Sequence, residues 1–238
     1  MKINKLMIVA SLFISMVVLE ATAQTSDWAN IKRYNEANKE VLQNQSSKEN
    51  RVVFMGNSIT EGWVKQHPDF FKDNNFVGRG ISGQTTYQFL VRFRNDVIDL
   101  EPAVVVINGG INDIAENNYA YNEDLTFGNL VSMAELANAN GIEVVMTSLV
   151  PSNRCGWRPQ ITDVAEKVAS LNKRIEQYAR ENGYAYVDYF TPMVVAETGA
   201  LDPAYSNDGV HPTSNGYLVM ENVVLPVIQE TLKKRNKK

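Results

Sequence analysis

A chain of 238 residues, 44% hydrophobic and 21% charged, has a globular composition and enough length for one sizeable core, which excludes the disordered and fibrous classes. Its formal net charge of −4 gives no field that would steer nucleic acid or an anionic membrane towards it. Two histidines and one cysteine are too few for a Cys/His zinc cluster.

The first 23 residues read as a secretory signal peptide. Lys2 and Lys5 precede an apolar run over residues 6–19, and Ala21-Thr22-Ala23 supplies a small-x-small cleavage site. The run falls short of the ~20 residues a spanning helix needs, so a membrane anchor is the weaker reading. No cysteine follows the site to carry a lipid. The mature chain is expected to begin at Gln24, to reach a bacterial periplasm or the medium, and to carry Cys155 there as an unremarkable loop thiol with no partner in its own chain.

A polar helix over about residues 27–42 is expected to pack outside the sheet. Apolar, β-rich runs follow at residues 51–55, 103–108, 143–149 and 184–189, with a shorter one at 76–77. Near-continuous apolar runs suit strands covered on both faces, hence a parallel sheet. Between them, Thr86, Leu90, Phe93, Val97 and Leu100 repeat with helical spacing, as do Val164, Val168, Leu171, Ile175 and Tyr178. A third helix is expected over residues 122–140, stopped by Gly141, and a last one from about Thr213 into the basic tail, kinked at Pro226. No internal repeat, low-complexity linker or second domain interrupts the alternation. Right-handed crossovers then build one α/β domain over residues 24–238, a three-layer α/β/α sandwich.

Ligands in such sheets bind at the carboxyl edge of the strands. Four polar or glycine-rich clusters fall there: Gly56-Asn57-Ser58-Ile59-Thr60, Gly78-Arg79-Gly80-Ile81-Ser82-Gly83-Gln84-Thr85-Thr86, Gly109-Gly110-Ile111-Asn112-Asp113, and Asn207-Asp208-Gly209-Val210-His211-Pro212 before the last helix. A serine becomes a nucleophile when a base takes its proton and a third group holds the base. His211 has Asp208 three residues before it, so one loop presents both side chains beside Ser58. His67, in a polar stretch before Pro68, reads as a solvated loop histidine. Oxyanion donors are expected from the Ser58 N–H, the Gly83 N–H and the Asn112 side-chain amide. Trp63 and Trp157 read equally as sugar-stacking platforms or as packing residues.

These four blocks, in this order over residues 51–220, resemble the SGNH (GDSL) hydrolase superfamily. The resemblance implies a flavodoxin-like sandwich with five parallel strands, no cofactor, and hydrolysis of esters or thioesters. By motif, Ser58 matches the nucleophile, Gly83 and Asn112 the oxyanion residues, and Asp208 and His211 the closing Asp-x-x-His. Two positions depart from the pattern: Asn57 replaces the acid of Gly-Asp-Ser, and Gly78 replaces an asparagine before Arg-Gly. The second and third blocks look most like the branch of platelet-activating-factor acetylhydrolase subunits and bacterial carbohydrate acetylesterases, which implies a short acyl group, acetyl foremost, and a small-molecule or glycan ester as partner. Lysophospholipid or thioester hydrolysis, and a non-catalytic carbohydrate-binding role, are the alternatives.

Gly78-x-Gly80-x-x-Gly83 also fits the dinucleotide-binding fingerprint. That fingerprint needs an acid at the carboxyl end of the next strand, where Asn108 and Gly109 stand instead, with Glu101 at the wrong end. The α/β-hydrolase signature Gly-x-Ser-x-Gly does not occur.

Overall fold

A computed structural model describes residues 27–44 and 49–237 of the chain. The expected signal peptide at residues 1–23 and the expected first mature residue, Gln24, lie outside the described residues. Within them the apolar runs become β1 (Val52–Gly56), β2 (Phe76–Gly80), β3 (Val104–Ile107), β4 (Glu143–Thr147) and β5 (Ala185–Val187). They form one five-stranded, all-parallel sheet in the order β2-β1-β3-β4-β5, the flavodoxin-like arrangement. Every residue of β1 and β3 is buried, because helices cover both faces of the sheet. Each fully buried aliphatic side chain there contributes roughly 1.5–3 kcal/mol.

The helices are α1 (Asn35–Gln43), α2 (Ser58–Gln66), α3 (Pro68–Asp73), α4 (Thr86–Asp96), α5 (Ile111–Ile114), α6 (Glu123–Ala139), α7 (Val164–Glu181) and α8 (Ser214–Arg235). One face of the sheet carries α4, α6 and α7; the other carries α2, α3 and α8. The expected stripe on α7 is the one buried, with Val164, Val168, Leu171 and Ile175 turned to the core. Helix α8 runs on through Pro226.

The structure departs from the sequence-based expectation in three places. The second strand continues to Gly80, so Gly78-Arg79-Gly80 is strand and not a phosphate-cradling loop. Gly80 is needed for close approach: a Cβ there would stand 2.3 Å from Glu61 N and 2.6 Å from Asn57 O, so α2 packs backbone to backbone on β2. The last strand is shorter than the apolar run, since beyond Val187 the Tyr189 and Phe190 N–H groups donate to Ser148 Oγ instead of continuing a ladder. Finally, α1 does not merely cover an edge: its buried Asn38 reaches into a polar network described below. The short helix α3 and an antiparallel pair, β6 (Val194–Val195) with β7 (Ala200–Leu201), carry no sequence signal strong enough to anticipate.

Candidate active site

Asn57 follows β1 and caps α2, its Oδ1 accepting the Ile59 N–H at 3.0 Å. This is the task an aspartate would perform at the same position, and asparagine caps about as well. Its buried Nδ2 finds no partner among the described residues. The cap sets Ser58 as the first residue of α2, half-buried, with a main-chain N–H that has no acceptor inside the helix.

The loop before α8 brings His211 to this serine. Ser58 Oγ lies 2.8 Å from His211 Nε2, and His211 Nδ1 lies 2.7 Å from Asp208 Oδ2. A carboxylate only accepts, so Nδ1–H donates to Asp208, and Nε2 is left to accept the serine proton. Asp208 Oδ1 accepts the N–H groups of Val210 and His211 at 2.9 and 2.8 Å, which fixes the carboxylate relative to its own loop. Burial works against its ionisation, but these bonds and the imidazole outweigh it and hold the carboxyl down at about 2. The histidine side chain keeps 39% exposure, so its outer side is open to solvent.

The second and third clusters converge from β2 and β3. Gly83 has φ +78°, which favours glycine, and open space where a Cβ would point. Its carbonyl accepts Asn117 Nδ2 at 3.1 Å. Asn112 is buried, and one of its two amide hydrogens goes to Gln84 O at 2.9 Å, which ties the two candidate donors together and leaves one hydrogen to give.

Residues that sequence reasoning passed over hold this arrangement. Asp113 is fully buried and accepts from Thr86 N, Thr86 Oγ1 and the Tyr119 hydroxyl, joining the start of α4 to α5. Burial pushes its carboxyl above the usual range, and those bonds oppose the shift. Glu61 on α2 accepts the Ser82 N–H at 2.9 Å and its hydroxyl, pinning the residue before Gly83. Arg92 on α4 donates to Gln84 Oε1 at 2.6 Å, Asp96 Oδ2 at 2.8 Å and Gly56 O at 3.0 Å. It therefore links the residue after Gly83 to the end of β1.

His67 is not a solvated loop histidine. Its side chain is 12% exposed, with Nδ1 2.6 Å from Glu221 Oε1 and Nε2 2.7 Å from Ser214 Oγ. Trp63 Nε1–H donates to the same glutamate oxygen at 3.0 Å. This second serine–histidine–carboxylate chain braces the start of α8, whereas the loops bearing Gly83 and Asn112 follow the strands on either side of β1. Trp63 is 2% exposed and stacks on Phe70 and Tyr217, a packing role. Trp157 is 41% exposed and lies beside His211, ring centroids 6.2 Å apart. Cys155 lies in the loop after β4, as expected, with its side chain buried in the core; burial pushes its thiol up to about 11. The spacing signal that could have flagged Asp113 or Glu61 is their adjacency to motif residues, because the partners that tie them to the site, Thr86 and Ser82, lie 27 and 21 residues away.

Residues 54–219 match the GDSL-like lipase/acylhydrolase family. The chain is similar to a GDSL-like lipase of Bacteroides thetaiotaomicron VPI-5482, with 58% identity and a TM-score of 0.83 over 86% of this chain and 99% of that one. An acetylxylan esterase of Geobacillus stearothermophilus superposes with a TM-score of 0.60 at 18% identity, over 76% of this chain and 96% of that one, a likeness of fold alone. A curated relative, an uncharacterised lipoprotein of Bacillus subtilis (strain 168), is 29% identical over 117 residues, 42% of this chain and 48% of that protein. The match thus spans about half of that relative's length.

Proposed function

Because the chain belongs to the GDSL-like lipase/acylhydrolase family, we propose that it is an exported serine esterase that cleaves short-chain acyl esters, acetyl esters of carbohydrates foremost, through an acyl-enzyme on Ser58. The observation that carries this reading is the unbroken hydrogen-bonded line from Ser58 Oγ through His211 to Asp208, at 2.8 and 2.7 Å.

In this mechanism His211 Nε2 takes the Ser58 proton as Oγ attacks the ester carbonyl. Asp208, ionised at all but the most acidic pH, holds the ring and stabilises the imidazolium that forms. The N–H groups of Ser58 and Gly83 and the free Asn112 amide hydrogen receive the oxyanion, each worth about 3–4 kcal/mol of barrier. The tetrahedral intermediate collapses as His211 returns the proton to the leaving alcohol. Water then repeats the sequence on the acyl-serine and frees the acid.

The acetyl preference rests on the second and third motif blocks, and the carbohydrate alcohol on the exposed indole of Trp157 beside His211. Export rests on the basic, apolar and small-residue pattern of the first 23 residues. No helix among the described residues is long and apolar enough to cross a membrane.

The test is release of p-nitrophenol from acetyl through octanoyl esters by wild type and Ser58→Ala. The reading expects Ser58-dependent turnover that drops steeply with chain length. A preference for longer chains would move the substrate to lysophospholipids or thioesters. No hydrolysis by either protein would favour a carbohydrate-binding role without catalysis.

A further inference from the structure

In the mechanism above, His211 hands its proton to the departing alcohol, so a side chain beside His211 is within reach of the alcohol half of the ester. Trp157 is such a side chain. Its ring is tilted 33° to the imidazole at a centroid distance of 6.2 Å, and it is among the few large hydrophobic side chains left exposed. An exposed indole normally has both its face and its N–H in water. Here the N–H is taken: Nε1 donates to Asn117 Oδ1 at 2.8 Å. The polar edge is tethered, and the exposed part of the side chain is apolar π-surface, the combination that stacks on the C–H face of a pyranose ring.

The loop that carries this indole is held at several points. Ser152 Oγ lies 2.8 Å from Arg154 O and 3.1 Å from Gly209 O, so the loop after β4 is joined to the loop bearing Asp208 and His211. The Arg158 N–H donates to Cys155 O at 2.8 Å, and Arg158 Nε to Ala115 O at 3.2 Å, closing the loop against the end of α5. Side chains fixed before binding lose little rotational freedom on binding.

Asn117 does more than hold the indole. Its Nδ2 donates to Gly83 O at 3.1 Å, and its main-chain N–H donates to Asn112 O at 3.1 Å. One residue thus meets the indole and Gly83 through its side chain and Asn112 through its main chain.

We propose that Trp157 is the platform for a ring-shaped alcohol, a pyranose, and that Asn117 is a positioning residue fastening that platform to the oxyanion donors Gly83 and Asn112. The inference rests on the esterase reading for its mechanism, and it adds the residue that selects the leaving group. Occupation of the platform and geometry of the oxyanion hole are coupled through one amide.

Two substrates that share an acyl group and differ in the alcohol separate these roles: a mono-acetylated methyl pyranoside and ethyl acetate. Trp157→Ala should lower the ratio of kcat/KM for the pyranoside over ethyl acetate about tenfold, chiefly through KM. Trp157→Phe keeps an aromatic face and should restore most of that ratio. Asn117→Ala should lower kcat on ethyl acetate, which has no ring to stack, by about tenfold, the loss of one oxyanion constraint in part. An unchanged ratio in Trp157→Ala would overturn the platform, and an unchanged kcat in Asn117→Ala would overturn the coupling. A binding readout keeps the test independent of turnover: in Ser58→Ala, titration with the acetylated pyranoside should shift the Trp157 indole N–H resonance saturably. A resonance that does not move refutes the platform even if the enzyme hydrolyses esters. A resonance that moves in a protein whose wild type hydrolyses neither ester supports the platform and refutes the esterase reading alone.

Discussion

Replacing Arg92 with methionine tests whether the polar network under the site holds it together. Both Arg92 and Asp96 have no solvent exposure, and their ion pair of 2.8 Å is one turn apart on α4. Burial draws the Arg92 guanidinium below its ordinary range, while Asp96 supports its charge. Methionine approximates the lost volume but leaves Gln84 Oε1 without its donor, the Gly56 carbonyl with the Ile81 N–H at 3.1 Å, and Asp96 with Asn38 Nδ2 at 3.0 Å. Removing one partner of a buried pair costs about 3–5 kcal/mol. For a chain of this size that lowers Tm by roughly 6–20 °C. Arg92→Met/Asp96→Leu takes away both charges and should recover at least half of the loss, because a buried pair is often no better than an apolar one. Calorimetric Tm and urea midpoints of the two variants measure this. A single variant within about 1 kcal/mol of wild type, or strictly additive losses in the double variant, would refute the reasoning.

Asn112→Ala should lower kcat about 10²–10³-fold with little change in KM, since an oxyanion donor acts on the transition state; matched changes in KM would say that Asn112 binds substrate instead. For Glu61, burial opposes ionisation, but bonds from Lys65 and Ser82 outweigh it and hold the carboxyl at about 2 against an ordinary 4.5. Its folded value is depressed, so its stabilisation is present above the ordinary value and is lost as pH falls from about 4.5 towards about 2. Urea melts across that window should show a shallower decline for Glu61→Gln than for wild type, and parallel declines would contradict it. Cys155, 1% exposed with its thiol pushed up to about 11, should resist a thiol reagent such as DTNB in the folded protein and react once it is unfolded.

The sheet was legible because strands buried on both faces must be apolar along their length, as β1 and β3 are. The candidate site was legible for a different reason. Ser58, Gly83, Asn112 and the Asp208–His211 pair each sit where a strand ends or a helix begins, and chain order alone gathers them at one edge. What escaped was whatever depends on a partner remote in sequence. His67 meets Glu221 and Ser214, 154 and 147 residues away, and nothing in its own neighbourhood announces either. Asn38 and Arg79, 41 residues apart, look like surface residues until the α1 segment is folded onto β2. Gly78 and Gly80 imitate a nucleotide loop in letters, while their backbone continues a strand against which α2 packs.

The central claim is that Ser58 is the nucleophile. The structure supplies its own competitor, since Ser214 has a histidine at 2.7 Å and that histidine a carboxylate at 2.6 Å, much as Ser58 does. Treatment with a fluorophosphonate, followed by intact-mass measurement and peptide mapping, decides between them. The account predicts one adduct per chain, on Ser58, abolished in Ser58→Ala together with ester hydrolysis. An adduct that persists in Ser58→Ala and maps to Ser214, or a wild-type chain that turns over esters without labelling at Ser58, would contradict it.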